Sequence, residues 1–319
     1  MKIAVTGGAG FIGAHLVSAL LAQGHQVWTC DNFFMGHKQE TLAWRDRAML
    51  VNLDLLDVER LRGSLQAFQP ELLFHLAAIH YIPYCNEHPT ESMRVNVEGT
   101  LNLMLAAQSC SSIRGIFFAS SAAVYGPTDK VHQESDATAP SDIYGLTKVL
   151  GEQIVTHYAR QSGTNYVLGR FFNVYGPAET NPHVIPVVLR QLIENNGHVR
   201  MGRTDTYRDF ICVDDLVRAL LRIGEHLATE TNVAATYNLA SGQETSIQRM
   251  VELLGKAAGL KVEIVSEPVR VRAGDRQYLR ADISKVRREL GWEPKVMIEQ
   301  GLEQTVKAAL QPVTSGNTK

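Results

Sequence analysis

Thr6-Gly7-Gly8-Ala9-Gly10-Phe11-Ile12-Gly13 follows a short apolar run, Lys2 to Thr6, and opens a stretch of helical period. The order strand, glycine-rich turn, helix gives these glycines their meaning, because a glycine-rich loop alone is common. Glycines at 7, 10 and 13 permit a tight turn, close approach of a pyrophosphate and close helix-to-strand packing. The helix N-terminus that follows favours negative charge. The stretch predicts the first βα unit of a dinucleotide-binding sheet.

Further apolar runs at Gln26 to Cys30, Met49 to Asn52, Leu72 to His75, Gly115 to Ser120 and Tyr166 to Arg170 read as strands. Between them lie patterns of period near 3.6, notably Phe11 to Gln23, Ser92 to Ser109 and Tyr144 to Gln161. Parallel strands joined by right-handed helical crossovers predict an α/β fold, a Rossmann-like doubly wound parallel sheet. After Asn173 the pattern loosens into Pro- and Gly-rich loops with helices at Pro186 to Asn195, Asp214 to His226, Ser246 to Gly255 and Ser284 to Leu290. Residues 1–172 are expected to form the dinucleotide-binding domain and 173–313 a smaller, discontinuous C-terminal α/β lobe that binds substrate. Part of 208–236 could return to the first domain, and 314–319 reads as a frayed, disordered tail.

The chain has 319 residues and a formal net charge of −2, so it has no basic stripe with which to neutralise a nucleic acid. Its first residues are apolar too briefly for a signal peptide or a membrane span, which predicts a cytoplasmic protein with no membrane partner. Cys30, Cys85, Cys110 and Cys212 are scattered, with no Cys-x-x-Cys pair. Reduced thiols are expected, and no metal.

Asp31 closes the second strand about 20 residues beyond the loop, where a carboxylate accepts hydrogen bonds from adenosine ribose hydroxyls and repels a 2′-phosphate. No Arg or Lys follows until Lys38, so the cofactor expected is NAD rather than NADP. Asp54, after the third strand, either caps the adenine pocket or opens the next loop. Tyr144 and Lys148 stand four apart, a spacing that places both on one helix face, where an ammonium can favour an ionised phenol. The spacing is common by chance; here it lies downstream of a phosphate loop and of Ser120-Ser121-Ala122-Ala123-Val124-Tyr125-Gly126.

Those segments, with His75-Leu76-Ala77-Ala78, Asn96 to Thr100, Arg170 to Pro177, Arg208 to Val213 and Arg272 to Asp275, cover nearly the whole chain. Together they resemble the extended short-chain dehydrogenase/reductases, specifically the NAD-dependent nucleotide-sugar epimerase/dehydratase family. For the cofactor, the resemblance implies contacts from Gly7, Gly10, Phe11, Ile12 and Gly13, and from Asp31, Asn32, Asp54 and Leu55. It adds Leu76, Ala77 and Ala78, then Asn96, Ser120 and Phe171, with Tyr144 and Lys148. It also implies that Tyr144 is the base, that Lys148 lowers its pKa while holding the nicotinamide ribose, and that Ser121 bonds the reacting oxygen.

A nucleoside diphosphate sugar, most simply a UDP-sugar, is the implied substrate. Asn173, Arg208 and Arg272 would serve its diphosphate or sugar, Val184 and Ile185 its nucleotide, and Ser121, Ala122 and Tyr144 the sugar. Asp275 would orient Arg272 or cap a turn. The 4,6-dehydratases of the family have Thr-Asp-Glu where this chain continues Ser121 with Ala122-Ala123, so the acid and base for elimination are missing. The expectation is therefore a 4-epimerase of the UDP-glucose/UDP-galactose or N-acetylhexosamine type, acting through transient oxidation at C4. A dehydratase or ketoreductase is the alternative, and a non-catalytic NAD-binding regulator a third. Thr180 stands where glucuronate epimerases carry Arg, which argues against a uronic acid. Leu279, where the family limits room around C2, is intermediate in bulk. The loop Ile79-His80-Tyr81-Ile82-Pro83-Tyr84-Cys85-Asn86 departs from the family; His80 tunes the sugar site, packs a lid or takes a catalytic part, the last with no spacing to support it. The resemblance further implies a homodimer through the helices at 92–109 and 144–161, to which Leu101, Leu105, Val149, Ile154 and Tyr158 offer apolar faces.

Overall fold

The computed structural model describes residues 1–179, 181–267 and 276–311. Its main sheet has seven parallel strands: β1 (Lys2–Thr6), β2 (Gln26–Asp31), β3 (Met49–Asn52), β4 (Leu72–His75), β5 (Gly115–Ser121) and β6 (Asn165–Phe171), joined by a later strand, Ala234–Leu239. The order is that later strand, then β6, β5, β4, β1, β2 and β3. The winding reverses between β1 and β4, and such a reversal opens a ligand crevice at the carboxyl ends of the strands.

Alternate residues of each strand face opposite layers. Ile3 and Val5 pack with Leu16 and Val17 of α1 (Phe11–Ala22), whereas Ala4 faces Leu61 and Leu65 of α2 (Val58–Phe68) on the other side. The expected helix at 92–109 is interrupted. The short helices α3 (Ile82–Glu87) and α4 (Pro89–Met93) precede a wide π-turn, Arg94–Glu98, and only then does α5 (Gly99–Ala107) begin. The wide turn carries Asn96, whose amide is spent on a neighbouring loop described below.

Helix α6 (Ile143–Ser162) starts with Asp142 accepting from Gly145 N at 2.7 Å and ends on Gly163 in the left-handed region at φ 68°. A Cβ on Gly145 would stand 2.3 Å from Ala123 O, so only glycine lets the first turn of α6 press on the end of β5. That approach fixes where Tyr144 and Lys148 lie.

Beyond β7 (Asn173–Tyr175), α7 (Val184–Glu194), β8 (His198–Met201) and β9 (Tyr207–Cys212), the chain returns to the main sheet. Helix α8 (Val213–Thr229) covers its α1 face, and β10 (Ala234–Leu239) is the seventh strand. Helix α10 (Ser284–Leu290) also packs there through Val286 and Leu290, after β11 (Glu244–Ser246), α9 (Ile247–Ala258), β12 (Glu263–Ser266) and β13 (Tyr278–Leu279), whereas β9, at the start of the 208–236 stretch expected to return, pairs with β7, β11 and β13 outside the main sheet. A separate core of Ile185, Leu192, Phe210, Met250 and Leu254 with Leu302 of α11 (Ile298–Leu310) belongs to the second lobe. The expected tail at 314–319 lies outside the described residues. All four cysteines are free and buried, no described helix is long and apolar enough to cross a membrane, and no described cluster could hold a metal ion.

Candidate active site

A cleft of roughly 1760 Å³ runs from the Gly7 loop across the strand ends to α7 and β9. Single small-ligand sites usually enclose about 300–1,000 Å³, so this one has room for a dinucleotide and a second extended ligand end to end.

At its dinucleotide end, Gly7 has φ 75°, and a Cβ there would stand 2.7 Å from Ala77 N. Helix α1 begins after Gly10 with no side-chain cap, and Phe11, Ile12 and Gly13 line the cleft. Uncapped N–H groups at the positive end of a helix suit a pyrophosphate. Asp31 accepts from Ala9 N at 2.9 Å and from Phe33 N at 2.8 Å, so its carboxylate shapes the phosphate loop as well as facing the cleft. Burial raises its pKa and those main-chain donors oppose the rise. Asn32 donates to Asp54 at 2.9 Å, and both line the cleft with Leu55, Leu76, Ala77 and Ala78. These residues fit a dinucleotide whose ribose hydroxyls meet a carboxylate.

Asn96 stands apart from the cleft lining. Its Oδ1 accepts from Ile79 N at 2.8 Å, and its Nδ2 donates to Ile79 O at 2.8 Å and to Thr147 Oγ1 at 3.0 Å. It pins the loop after β4 onto α6 instead. Ser120 and Ser121 diverge as strand alternation requires. Ser120, buried, donates to Glu152 at 2.5 Å, while Ser121 bonds Tyr144 on the cleft side.

Burial raises the Tyr144 phenol above its ordinary value, and the Ser121 hydrogen bond is the main opposing effect. Lys148 Nζ donates to Ala119 O at 2.8 Å and lies 5.7 Å from the Tyr144 ring centroid. Burial brings its ammonium down to about 8. Lys148 therefore stands beside the Tyr144 ring with its ammonium anchored on a main-chain carbonyl of β5. Ala122 and Ala123 form a 3-10 turn beside it, line the cleft and offer no acid or base; Phe171 lines it from the end of β6.

At the far end, Asn173 donates to Asp209 O at 3.0 Å, and Val184 and Ile185 open α7. Arg208 faces the cleft from β9, with Nη1 donating to Arg276 O at 2.9 Å. Arg272 and Asp275 lie outside the described residues, as does Thr180. Arg276, which the sequence did not single out, lines the cleft; burial lowers its pKa, Arg208 adds to the effect and Asp142 opposes it. Two guanidinium groups facing one cleft suit a diphosphate.

His80 lies in the cleft with its Nε2 on Asn181 Nδ2 at 3.0 Å and a main-chain bond to Ala78. Burial holds its pKa down to about 4, so it is a neutral bridge between lobes rather than an acid. Beside it stands a pair the sequence reading missed. Glu179, its side chain 4% exposed, meets His183 Nδ1 at 2.5 Å, and the His183 ring lies 5.6 Å from that of His80. The spacing is i to i+4, but in a loop without periodicity that carries no signal.

A family model described as GDP-mannose 4,6 dehydratase matches residues 4–305. The chain belongs to the nucleotide-sugar epimerase/dehydratase family. The family includes a GDP-6-deoxy-D-mannose reductase from Pseudomonas aeruginosa, 29% identical over 94% of this chain and 94% of that protein. The UDP-glucose 4-epimerase of Thermotoga maritima, solved with UDP-glucose, superposes with a TM-score of 0.88 at 32% identity, over 97% of this chain and 98% of that one. The Thermus thermophilus UDP-glucose 4-epimerase, solved with NAD, gives 0.85 at 28% identity, over 97% and 98%. Family membership alone does not choose among epimerase, reductase and dehydratase, and the alanines after Ser121 bear directly on that choice.

Proposed function

We propose that the protein is an NAD-dependent UDP-sugar 4-epimerase. The observation that carries this reading is the meeting of Ser121, Tyr144 and Lys148 midway along one cleft, beside a turn whose Ala122 and Ala123 supply no group for elimination. Likeness to 4-epimerases solved with NAD and with UDP-glucose supports it.

NAD, when bound, would supply the acceptor and then the donor of hydride at C4, together with a positive ring that favours the ionised phenol. Tyr144 removes the C4 hydroxyl proton and returns it to the same oxygen after the 4-keto sugar has turned its opposite face to the nicotinamide side of the cleft. Ser121 donates to the C4 oxygen and stabilises the charge that grows there. Lys148 holds the cofactor's ribose side of the cleft. Gly7, Gly10 and the first turn of α1 take the pyrophosphate, and Asp31 the adenosine ribose. Arg208, Arg276, Asn173 and Arg272 bind the substrate's diphosphate end, with Val184 and Ile185 against its base. The same reading makes residues 1–172, with the later segments that return to the main sheet, the cofactor domain and the protein a cytoplasmic homodimer, in which Leu105 of α5 and Leu146 of α6, 38% and 39% exposed, are covered.

Incubation with UDP-glucose, UDP-N-acetylglucosamine and their galacto forms, with no reductant added, tests the proposal by NMR. Interconversion at C4 is expected. Stoichiometric consumption of NADH or NADPH, or a 4-keto-6-deoxy product, would overturn it in favour of a reductase or a dehydratase.

A further inference from the structure

We propose that Phe34 and Tyr84 form an aromatic clasp that closes over the dinucleotide half of the cleft and slows release of the cofactor. The inference rests on the reading of that half as an NAD site.

Strands β2 and β4 flank β1, so the loops that leave them stand on either side of the Gly7 loop. The first of these, residues 31–37, folds back as a strap. Asp31 holds Ala9 N and Phe33 N, Asn32 Oδ1 accepts from Phe34 N at 3.1 Å, and His37 N donates to Ala9 O at 2.7 Å. Phe33 sits at φ 58°, a conformation an aromatic residue rarely adopts, and the turn it makes carries Phe34 over the cleft. Phe34 is 48% exposed, so this apolar ring is not placed by burial in a core.

The second loop supplies the partner. Tyr84 of α3 meets Phe34 edge to face, with centroids 5.8 Å apart and ring planes at 67°. Tyr84 is braced from behind: its ring packs on His88 at 4.3 Å, and its hydroxyl donates to Glu91 at 2.7 Å. Asn86, two residues on, accepts from Ile143 N at 3.3 Å, which ties α3 to the start of α6. One ring is therefore held from β2 and the phosphate loop, the other from α3 and α6. Their contact bridges the two walls between which a pyrophosphate at the α1 N-terminus lies. A dinucleotide can leave past them only after the contact opens. An epimerase returns its cofactor unchanged in every cycle, so slow release costs it no turnover, whereas an enzyme that exchanges NAD for NADH each cycle would be limited by it.

The test measures release of bound NAD, with stopped-flow or filtration readout after dilution into an NAD-consuming trap. Phe34→Ala, Tyr84→Ala, the double variant and Tyr84→Phe are compared with the wild-type chain, and circular dichroism confirms that each is folded. Either alanine variant is expected to release NAD about threefold to tenfold faster, the range that one edge-to-face pair supports. The double variant should be no faster than the quicker single one, because both changes remove the same contact. Tyr84→Phe keeps the ring and loses only the Glu91 brace, so it should release NAD more slowly than Tyr84→Ala. Unchanged release in both alanine variants, or multiplying effects in the double, overturns the clasp alone. A wild-type chain that binds no NAD overturns the cofactor reading beneath it.

Discussion

Arg170 and Glu152 form a buried, two-pronged ion pair, Nε to Oε1 and Nη2 to Oε2, each at 2.9 Å. It joins β6 to the middle of α6, two turns beyond Tyr144. Breaking such a pair strands a charge in the interior, so Glu152→Ala should lower unfolding free energy by about 3–5 kcal/mol, measured by urea denaturation. Replacing both partners with Met should recover part of that loss. If the single variant is as stable as the wild type, the pair does not hold the helix.

Tyr144→Phe removes the proposed base and keeps the ring. Turnover should fall by about 10²–10⁴, with NAD still bound in stoichiometric amount. Near-normal turnover would assign the proton to another group.

His75 bridges Thr6 at 2.8 Å and Thr100 at 2.9 Å inside the sheet, and burial lowers its pKa to about 3. Between that value and about 6.5 the unfolded chain binds the proton that the native state refuses. Its contribution to stability is therefore complete above pH 6.5 and is lost as pH falls, by about 2 kcal/mol from pH 6.5 to 5. Unfolding measured across that interval checks it, and His75→Gln should flatten the slope even if it lowers stability throughout.

Leu279 lines the cleft from β13, in register with Arg208 of β9. If it limits the space around C2, Leu279→Gly should raise kcat/KM for an N-acetylated substrate relative to its plain hexose counterpart by about tenfold. An unchanged ratio would place the C2 substituent elsewhere.

The main sheet was legible because buried parallel strands are near-continuous apolar runs, and all six expected strands lie within one residue of those observed. The seventh strand was harder to see: Ala-Ala-Thr-Tyr-Asn-Leu has little apolar continuity, and its place comes from pairing with β6. Tyr144 was singled out by its spacing to Lys148 and Ser121 by the family resemblance, and both line the one cleft. Asn96 shows the limit of that approach, for a matched position gave no sign that its amide is used up on Ile79 and Thr147. Glu179, His183 and Arg276 were missed for a related reason: loop residues acquire neighbours only when the two lobes meet.

The polar chain behind the site has a practical consequence for recombining relatives. From Ser120 it passes through Glu152 and Arg170 to the Tyr125 hydroxyl, which donates to Asn238 at 2.7 Å; Asn238 in turn donates to His132 O at 3.0 Å. Asn238 lies in the strand that comes back late in the sequence. A chimera spliced after Phe172 would thus exchange one end of a wired circuit while keeping the other, and a graft meant to swap substrate preference should carry the Tyr125 and Asn238 positions as a matched set.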